Sequence, residues 1–394
     1  MPRVLLSESS IPDISAEIPF LFKKAGCSVD VYAPKGSWLL RNSYWDAWYE
    51  ADTTSAESYA KGVAARAREG NYDWVVFTED KALQAIAEHL SGESDARMLF
   101  PLVDLQYRDL LGSKAALSRL CEEYGIPTPL FAIGKGDTAL LMESAQSLTY
   151  PLLLKLNRSS GGTGVFLCED DIALREKIDS LTEGERKEIV LQEFIHGIDI
   201  AAESLFWHGK LLACASSQVI ETVGNSFSVS VARQYAPNDV VEQYLRNTGK
   251  AFGFHGFCNA TFRQETGSGK LYLIEADQRP NIWFASTRFA GVDFSEVIRN
   301  IFSGRLVVVQ QPKELGTISV RHFHREVTRA LMHKDYATLL QWLFNKDGRW
   351  KFIPLYDPKL LLATFDQIAR TLGAAFLQNR PRLRALRERA RRSL

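Results

Sequence analysis

The stretch PLLLKLNRSSGGTGV, residues 151 to 165, decides how the chain is read. Leu152, Leu153, Leu154 and Leu156 predict a strand buried on both faces, with Lys155 set among them. An unpaired ammonium in that setting costs several kcal/mol, so Lys155 requires an anion. Behind it, Ser159, Ser160, Gly161, Gly162, Thr163 and Gly164 form a loop whose free backbone N–H groups and hydroxyls suit phosphate oxygens. No lysine follows the glycines directly and no helix-opening dinucleotide fingerprint is present, so neither common phosphate motif applies. On its own the stretch has two readings: a polyphosphate site, or a strand with a snorkelling lysine and a glycine-rich hairpin.

Upstream, residues 3 to 106 alternate strand and helix. The run is VLL, a helix over 14–25, VDVYA, a helix over 55–69, DWVVF, a helix over 81–90, then MLFPLV. This rhythm predicts a small parallel sheet with helices on both faces. The loops 7–10 and 78–80, at strand ends, are where such sheets bind ligands, and they read equally as ordinary turns and caps. In LLGSKAALSRLCEEYGIPTP, Ser113 can cap a helix that Gly125 and Pro127 end, and Lys114 falls in its first turn. The helix dipole disfavours a cation there, so a nearby anion or plain solvation must account for Lys114.

Downstream, from Glu188, the pattern becomes that of antiparallel hairpins: EIVLQEFI, DIAAESLFWHGKLLACASSQVI, a strand near 227–235, a helix over 239–253, and FCNATFRQETGSGKLYLIEAD. The GSGK at 267–270 is a hairpin turn, not a phosphate loop, because strands flank it and no helix follows.

Composition bounds the function classes. The 394 residues are 46% hydrophobic with zero formal net charge, so no global field favours nucleic acid, and the length suits about two to three domains. Five cysteines, widely spaced and without a CxxC, argue against a disulfide framework and a zinc site, and read as reduced core residues. The apolar run in MPRVLLSESS is too short for a signal peptide and no uninterrupted apolar window of spanning length occurs, so a cytoplasmic location is expected.

Taken in order, a lysine opening a helix that ends in GIPTP, a PLLLK strand with a Ser/Gly loop, a VLQEFI hinge and a terminal strand ending in acid-x-acid-x-Arg resemble the ATP-grasp superfamily of ligases over residues 1 to 305. The resemblance implies an α/β and α+β chain. Its parts are a Rossmann-like pre-domain (1–106), a small lobe with the phosphate loop (107–187), a C-terminal lobe with the metal site (188–310), and a C-terminal strand plus mostly helical appendage (311–394). It implies that Lys114 and Lys155 hold ATP phosphates under a loop of Ser160, Gly161, Gly162 and Gly164. It places Gln192 and Glu193 at the adenine edge, Phe194 and Ile195 beside the ring, and Asp199 on the ribose; each also fits a plain strand position.

Glu275 and Asp277 are i and i+2 on an alternating strand, so both carboxylates leave one face. Two like charges side by side call for a cation, and oxygen ligands suit Mg²⁺ or Mn²⁺. The family usually has asparagine at the position of Asp277 and an acid or glutamine at that of Thr261; Asn259 shares the face of Thr261 and is the candidate substitute. By the same resemblance, Arg279 steadies the transferred phosphate or a substrate carboxylate. Arg233 faces the γ-phosphate or makes a salt bridge. His322 and His324, in VRHFHRE, read as structural strand residues.

The implied activity is ATP-dependent joining of a carboxylate, by family frequency an amino acid or small peptide, to an amine or thiol through an acyl phosphate. A kinase of a small hydroxyl substrate and a non-catalytic nucleotide-binding module are the alternatives. The tail carries seven arginines between Arg380 and Arg392. It reads as a solvated helical end, with a weak contact to an anionic membrane surface or a partner, and homo-oligomerisation, left open.

Overall fold

The computed structural model describes residues 1–90, 98–224, 227–305, 310, 318–348 and 350–373. The arginine-rich end, and with it the expected membrane contact, lies outside the described residues.

The first part is a parallel sheet of β1 (Arg3–Ser7), β2 (Ser28–Ala33), β3 (Ala47–Glu50) and β4 (Trp74–Phe77) in the order β3-β2-β1-β4. Its helices are α1 (Ile18–Ala25), α2 (Ala56–Gly70) and α3 (Asp80–His89). Local chemistry sets their ends. The Ser55 hydroxyl accepts from the Ser58 amide at the start of α2, and Asn71 closes that helix at φ 47°. The short strand β3 is absent from the sequence reading, since AWYE offers only four residues and little alternation. MLFPLV is corrected: it forms no strand, and Leu102 contributes a single bridge to Phe254.

The next sheet, in order β5-β8-β6-β7, contains β5 (Phe131–Gly134), β6 (Leu152–Leu156), β7 (Val165–Cys168) and β8 (Ile189–Glu193), flanked by α4 (Lys114–Glu123), α5 (Thr138–Ala145) and α6 (Asp171–Asp179). The sequence reading grouped 189–193 with the later lobe. Its pairing with β6 and β5 puts it in this smaller sheet. The third sheet has seven strands in the order β13-β12-β9-β10-β11-β14-β15. These are β9 (Gly197–Trp207), β10 (Lys210–Thr222), β11 (Ser230–Tyr235), β12 (Gly256–Glu265), β13 (Leu271–Asp277), β14 (Ile318–His322) and β15 (Lys351–Phe352). Helices α7 (Asp239–Phe252), α8 (Phe294–Phe302), α9 (Phe323–His333) and α10 (Tyr336–Leu343) complete the named elements.

Two expectations about the last segment change. The resemblance ends at residue 305, yet TISV is part of the same architecture: β14 pairs antiparallel with β11 and extends the main sheet. VRHFHRE is not one strand: the chain turns into α9 at Phe323, so His322 and His324 meet edge to face with ring centroids 4.7 Å apart.

Burial explains the placement of the lobes. Leu141, Leu152, Leu154, Leu174 and Ile189 form a separate core under the small sheet. The two larger clusters instead join the first sheet to the seven-stranded one, packing Val4, Phe22 and Trp74 with Phe257 and Phe294. Trp74 stacks on Phe257 at 5.6 Å with a 7° interplanar angle. All five cysteines are buried and free. Among the described residues, no helix is long and apolar enough to cross a membrane.

Candidate active site

The small sheet and the large sheet face each other across a cavity of about 510 Å³. All the site residues expected from the sequence line it except Gly164, which packs beside Ser159 instead. The walls also include Ser10 and Glu79 from the strand-end loops of the first sheet and Asp80 and Lys81 from the start of α3. A larger hollow of about 610 Å³, near Tyr124 and Tyr244, shares no residue with this cavity and holds one charged side chain, Asp239.

The two cavity lysines of the small lobe, Lys155 and Lys114, have neutral partners. Lys155 is 6% exposed and donates to Gln192 Oε1 at 2.5 Å, so its direct partner is an amide oxygen and not the expected anion. Burial, with Lys114 nearby, pulls its pKa down to about 8; Glu275 and Asp199 oppose that at longer range. Ser113 caps α4 by accepting from the Ala116 amide at 3.1 Å, which fixes Lys114 in the first turn. Lys114 Nζ donates to the Ser159 carbonyl and, at 3.2 Å, to its hydroxyl. In the glycine loop, Gly162 has φ 77° and its missing Cβ would fall 1.9 Å from the Phe227 carbonyl oxygen. No other residue fits there without backbone movement.

At the hinge, the amides of Glu193 and Phe194 are spent on the Leu130 and Pro151 carbonyls, both at 2.9 Å. Asp199 pairs with Arg263 at 2.8 Å, and the same guanidinium lies 5.3 Å from the Phe194 ring centroid.

Glu275 and Asp277 stand on β13 opposite Thr261 and Asn259 of β12. Burial and the neighbouring charges of Glu275 and Asp80 push the Asp277 carboxyl well above the usual range, against the pull of Arg279. A divalent cation fits this pair: the donors are hard oxygens, and a cation would hold both carboxylates ionised. Among the described residues no group of three or more His, Cys, Asp or Glu converges on a metal position, so the remaining ligands of such an ion would be phosphate oxygens and water. Asn259 Oδ1 accepts from Asn281 Nδ2 at 2.8 Å, and the neutral pair Asn259 and Thr261 adds no charge.

The arginines of the large lobe are held by carboxylates. Arg279 makes a bidentate pair with Asp80, both contacts 2.7 Å, and a third contact of 2.9 Å to Asp277. Arg233 pairs with the fully buried Glu203 and lies 4.7 Å from the Trp283 ring centroid. Among the loops of the first sheet, Glu8 is fully buried and accepts from Ser37, from Ser15 at 2.8 Å and from Thr78 at 3.1 Å. Burial pushes its pKa up to about 8. Sequence reasoning missed Glu8, Asp80, Glu203, Asn281 and Arg325. Glu8 and Asp80 had a signal, as members of the strand-end loops 7–10 and 78–80.

Comparison with known proteins agrees with this architecture. Residues 111–203 match the family model of the RimK-like ATP-grasp domain. A carbamoyl-phosphate synthase from Methanobrevibacter smithii is 24% identical over 233 residues, covering 56% of this chain and 60% of that protein. A D-alanine–D-alanine ligase from Carboxydothermus hydrogenoformans is 22% identical over 298 residues, covering 67% of this chain and 88% of that protein. Among solved structures, the biotin carboxylase domain dimer of the Hydrogenobacter thermophilus 2-oxoglutarate carboxylase, bound to MgADP, ADP and bicarbonate, superposes with a TM-score of 0.59 at 19% identity. That match covers 78% of this chain and 71% of the other. Motif order, architecture and the matched model converge: the chain has the ATP-grasp fold, and residues 111–203 are similar to the RimK-like ATP-grasp domain.

Proposed function

We propose that this chain is an ATP-dependent ligase that activates a carboxylate as an acyl phosphate and passes it to an amine, forming a carbon–nitrogen bond and releasing ADP and phosphate. The observation that carries the reading is one cavity that gathers Lys114 and Lys155 from one lobe and Glu275 and Asp277 from the other. Cations without carboxylate partners face a carboxylate pair that needs a cation, the complementarity expected for a metal–polyphosphate.

In this reading Lys155 and Lys114 neutralise phosphate charge, and the glycine loop closes over the phosphates with its amides. With the amides of Glu193 and Phe194 already engaged, the adenine edge falls to the Glu193 carbonyl and the Ile195 amide. Asp199, steadied by Arg263, takes the ribose hydroxyls. Glu275 and Asp277 would hold Mg²⁺, which supplies charge neutralisation at the transferred phosphoryl group. Arg279, aimed by Asp80, and Arg233, aimed by Glu203, position the acceptor oxygen and the leaving phosphate; the protein contributes placement and electrostatics. The name of one relative, the D-alanine–D-alanine ligase, supports an amino acid as one substrate.

Incubation with Mg·ATP and pooled amino acids tests this. ADP release that requires both a carboxylate and an amine is the expected result. Release that yields a stable phosphorylated alcohol supports a kinase. Nucleotide binding without ADP supports a binding module, the outcome that the neutral Asn259 and Thr261 beside Glu275 and Asp277 would then explain.

A further inference from the structure

Arg321, Arg325 and Arg329 stand four residues apart, from the end of β14 into α9. Each is at most 8% exposed, so each guanidinium must find acceptors inside the protein. Two do. Arg321 pairs with Glu221 and Glu326. Arg329 pairs with Glu221 at 3.0 Å, Glu326 at 2.7 Å and Asp335 at 2.9 Å.

Arg325 is different. It donates one hydrogen bond, from Nη1 to the Ser230 carbonyl at 3.1 Å, and among the described residues no carboxylate reaches ion-pair distance. Asp13 acts on it only from farther away and is itself bonded to His324 at 2.9 Å. A guanidinium has five N–H donors in a rigid fork. One is used here, and the side chain lines the 510 Å³ cavity. Its neighbour Ser230 links it to the machinery, because the Ser230 hydroxyl accepts from Arg233 Nε at 3.0 Å. Trp283, in the same wall, leaves its buried indole N–H without an acceptor.

We propose that Arg325 anchors an oxyanion of the non-nucleotide substrate: a carboxylate that does not itself react, on an amino acid or peptide. The identity of the anion rests on the ligase reading above; the anion site itself rests on the unspent guanidinium. The nucleotide phosphates are the other conceivable source. Lys114, Lys155 and the glycine loop already serve them from the opposite lobe, and the contacts of Arg325 run to β11 and toward Asp13 of the first sheet's loop.

The test uses the full chain saturated with Mg·ADP and calorimetric titration with the standard L-amino acids, their carboxamides, glycylglycine, succinate and orthophosphate. At least one carboxylate should bind about tenfold more tightly than its amide. Arg325→Gln and Arg325→Met should abolish that preference while Mg·ADP affinity changes less than about twofold. Arg325→Lys should keep part of it, since an ammonium cannot make the forked contact. Arg329→Gln, a packing control on the same helix, should lower the melting temperature and leave the preference intact. A preference unchanged in the Arg325 variants overturns the proposal. So does parallel loss of Mg·ADP binding, which would move Arg325 to the nucleotide, or the absence of any carboxylate preference in the wild type. ADP release is scored separately. A preference that depends on Arg325, without ADP release on adding a carboxylate and an amine, removes the ligase reading and leaves the subsite standing.

Discussion

The two walls of the cavity treat their cations in opposite ways. On the small-lobe wall Lys155 rests on an amide oxygen and Lys114 on a serine, so their charge is left available. On the large-lobe wall Arg279 and Arg233 are held by Asp80 and Glu203, whereas Arg325 has no carboxylate at ion-pair distance among the described residues and spends one donor, on the Ser230 carbonyl. A neutral partner costs stability and preserves pull on an anion; a carboxylate partner fixes geometry and gives up that pull. In the proposed function, the partner of a buried cation separates residues that attract a ligand from residues that aim at one.

The largest expected effect lies where the walls meet. Glu275→Gln should lower turnover by on the order of 10³ with an unchanged melting profile, because the residue borders the cavity and does not fill the core. Wild-type ADP release at limiting Mg²⁺ would break the metal assignment.

Next comes the attracting wall. Lys155→Met should weaken Mg·ADP binding by roughly 10- to 100-fold, measured by calorimetry. It should also stabilise the ligand-free protein below pH 8 by on the order of 1–3 kcal/mol. The sign follows from the lowered pKa: below about 8 the folded state carries a desolvated ammonium that the unfolded state solvates, and methionine removes that cost. A variant less stable than wild type would show that the Gln192 contact outweighs the desolvation.

The aiming wall should respond through rate and not through nucleotide affinity. Asp80→Asn loosens the bidentate hold on Arg279 and should reduce kcat by about tenfold while Mg·ADP affinity stays level. A fall in nucleotide affinity alone would merge the two walls.

The last effect falls on stability alone and lies among the loops of the first sheet. Glu8 keeps its proton in the folded state up to about pH 8, whereas the unfolded chain loses it near 4.5, so stability declines as pH rises across that window. Glu8→Gln should remove the decline, with a gain of about 2 kcal/mol at pH 8 and little change at pH 4.5, read from denaturant melts. A gain that is equal at both pH values would show that the effect is packing.

What the sequence discloses follows the same division. The strand with Lys155, the Ser113 cap before Lys114, the glycine turn and the acid-x-acid strand are local patterns, each made by residues a few positions apart, and periodicity or turn chemistry suffices to see them. Glu203 meets Arg233, and Asp80 meets Arg279 across 199 residues, only once the sheets are assembled; the strand-end loop 78–80 marks a place for Asp80 but not its partner. Arg325 was hidden for another reason. The apolar alternation of TISV runs on through HFH, and the turn into α9 at Phe323 carries no glycine, proline or capping serine to announce it. β14 shows the same limit, since the register that carries it into the main sheet is a property of β11.

That late strand bears on the order of events at the ribosome. The first sheet is held from behind by residues made long after it: Tyr356 bonds Glu17, and the Ser43 amide donates at 2.7 Å to Asp357, 314 positions further along the chain. At roughly 5–20 residues per second, about 15–60 s separate the two ends of that contact. Through the last part of that interval the open edge of β11, later covered by β14, remains available to other nascent strands. Production yield should therefore depend on elongation rate and chaperone supply more steeply than the finished protein's stability suggests.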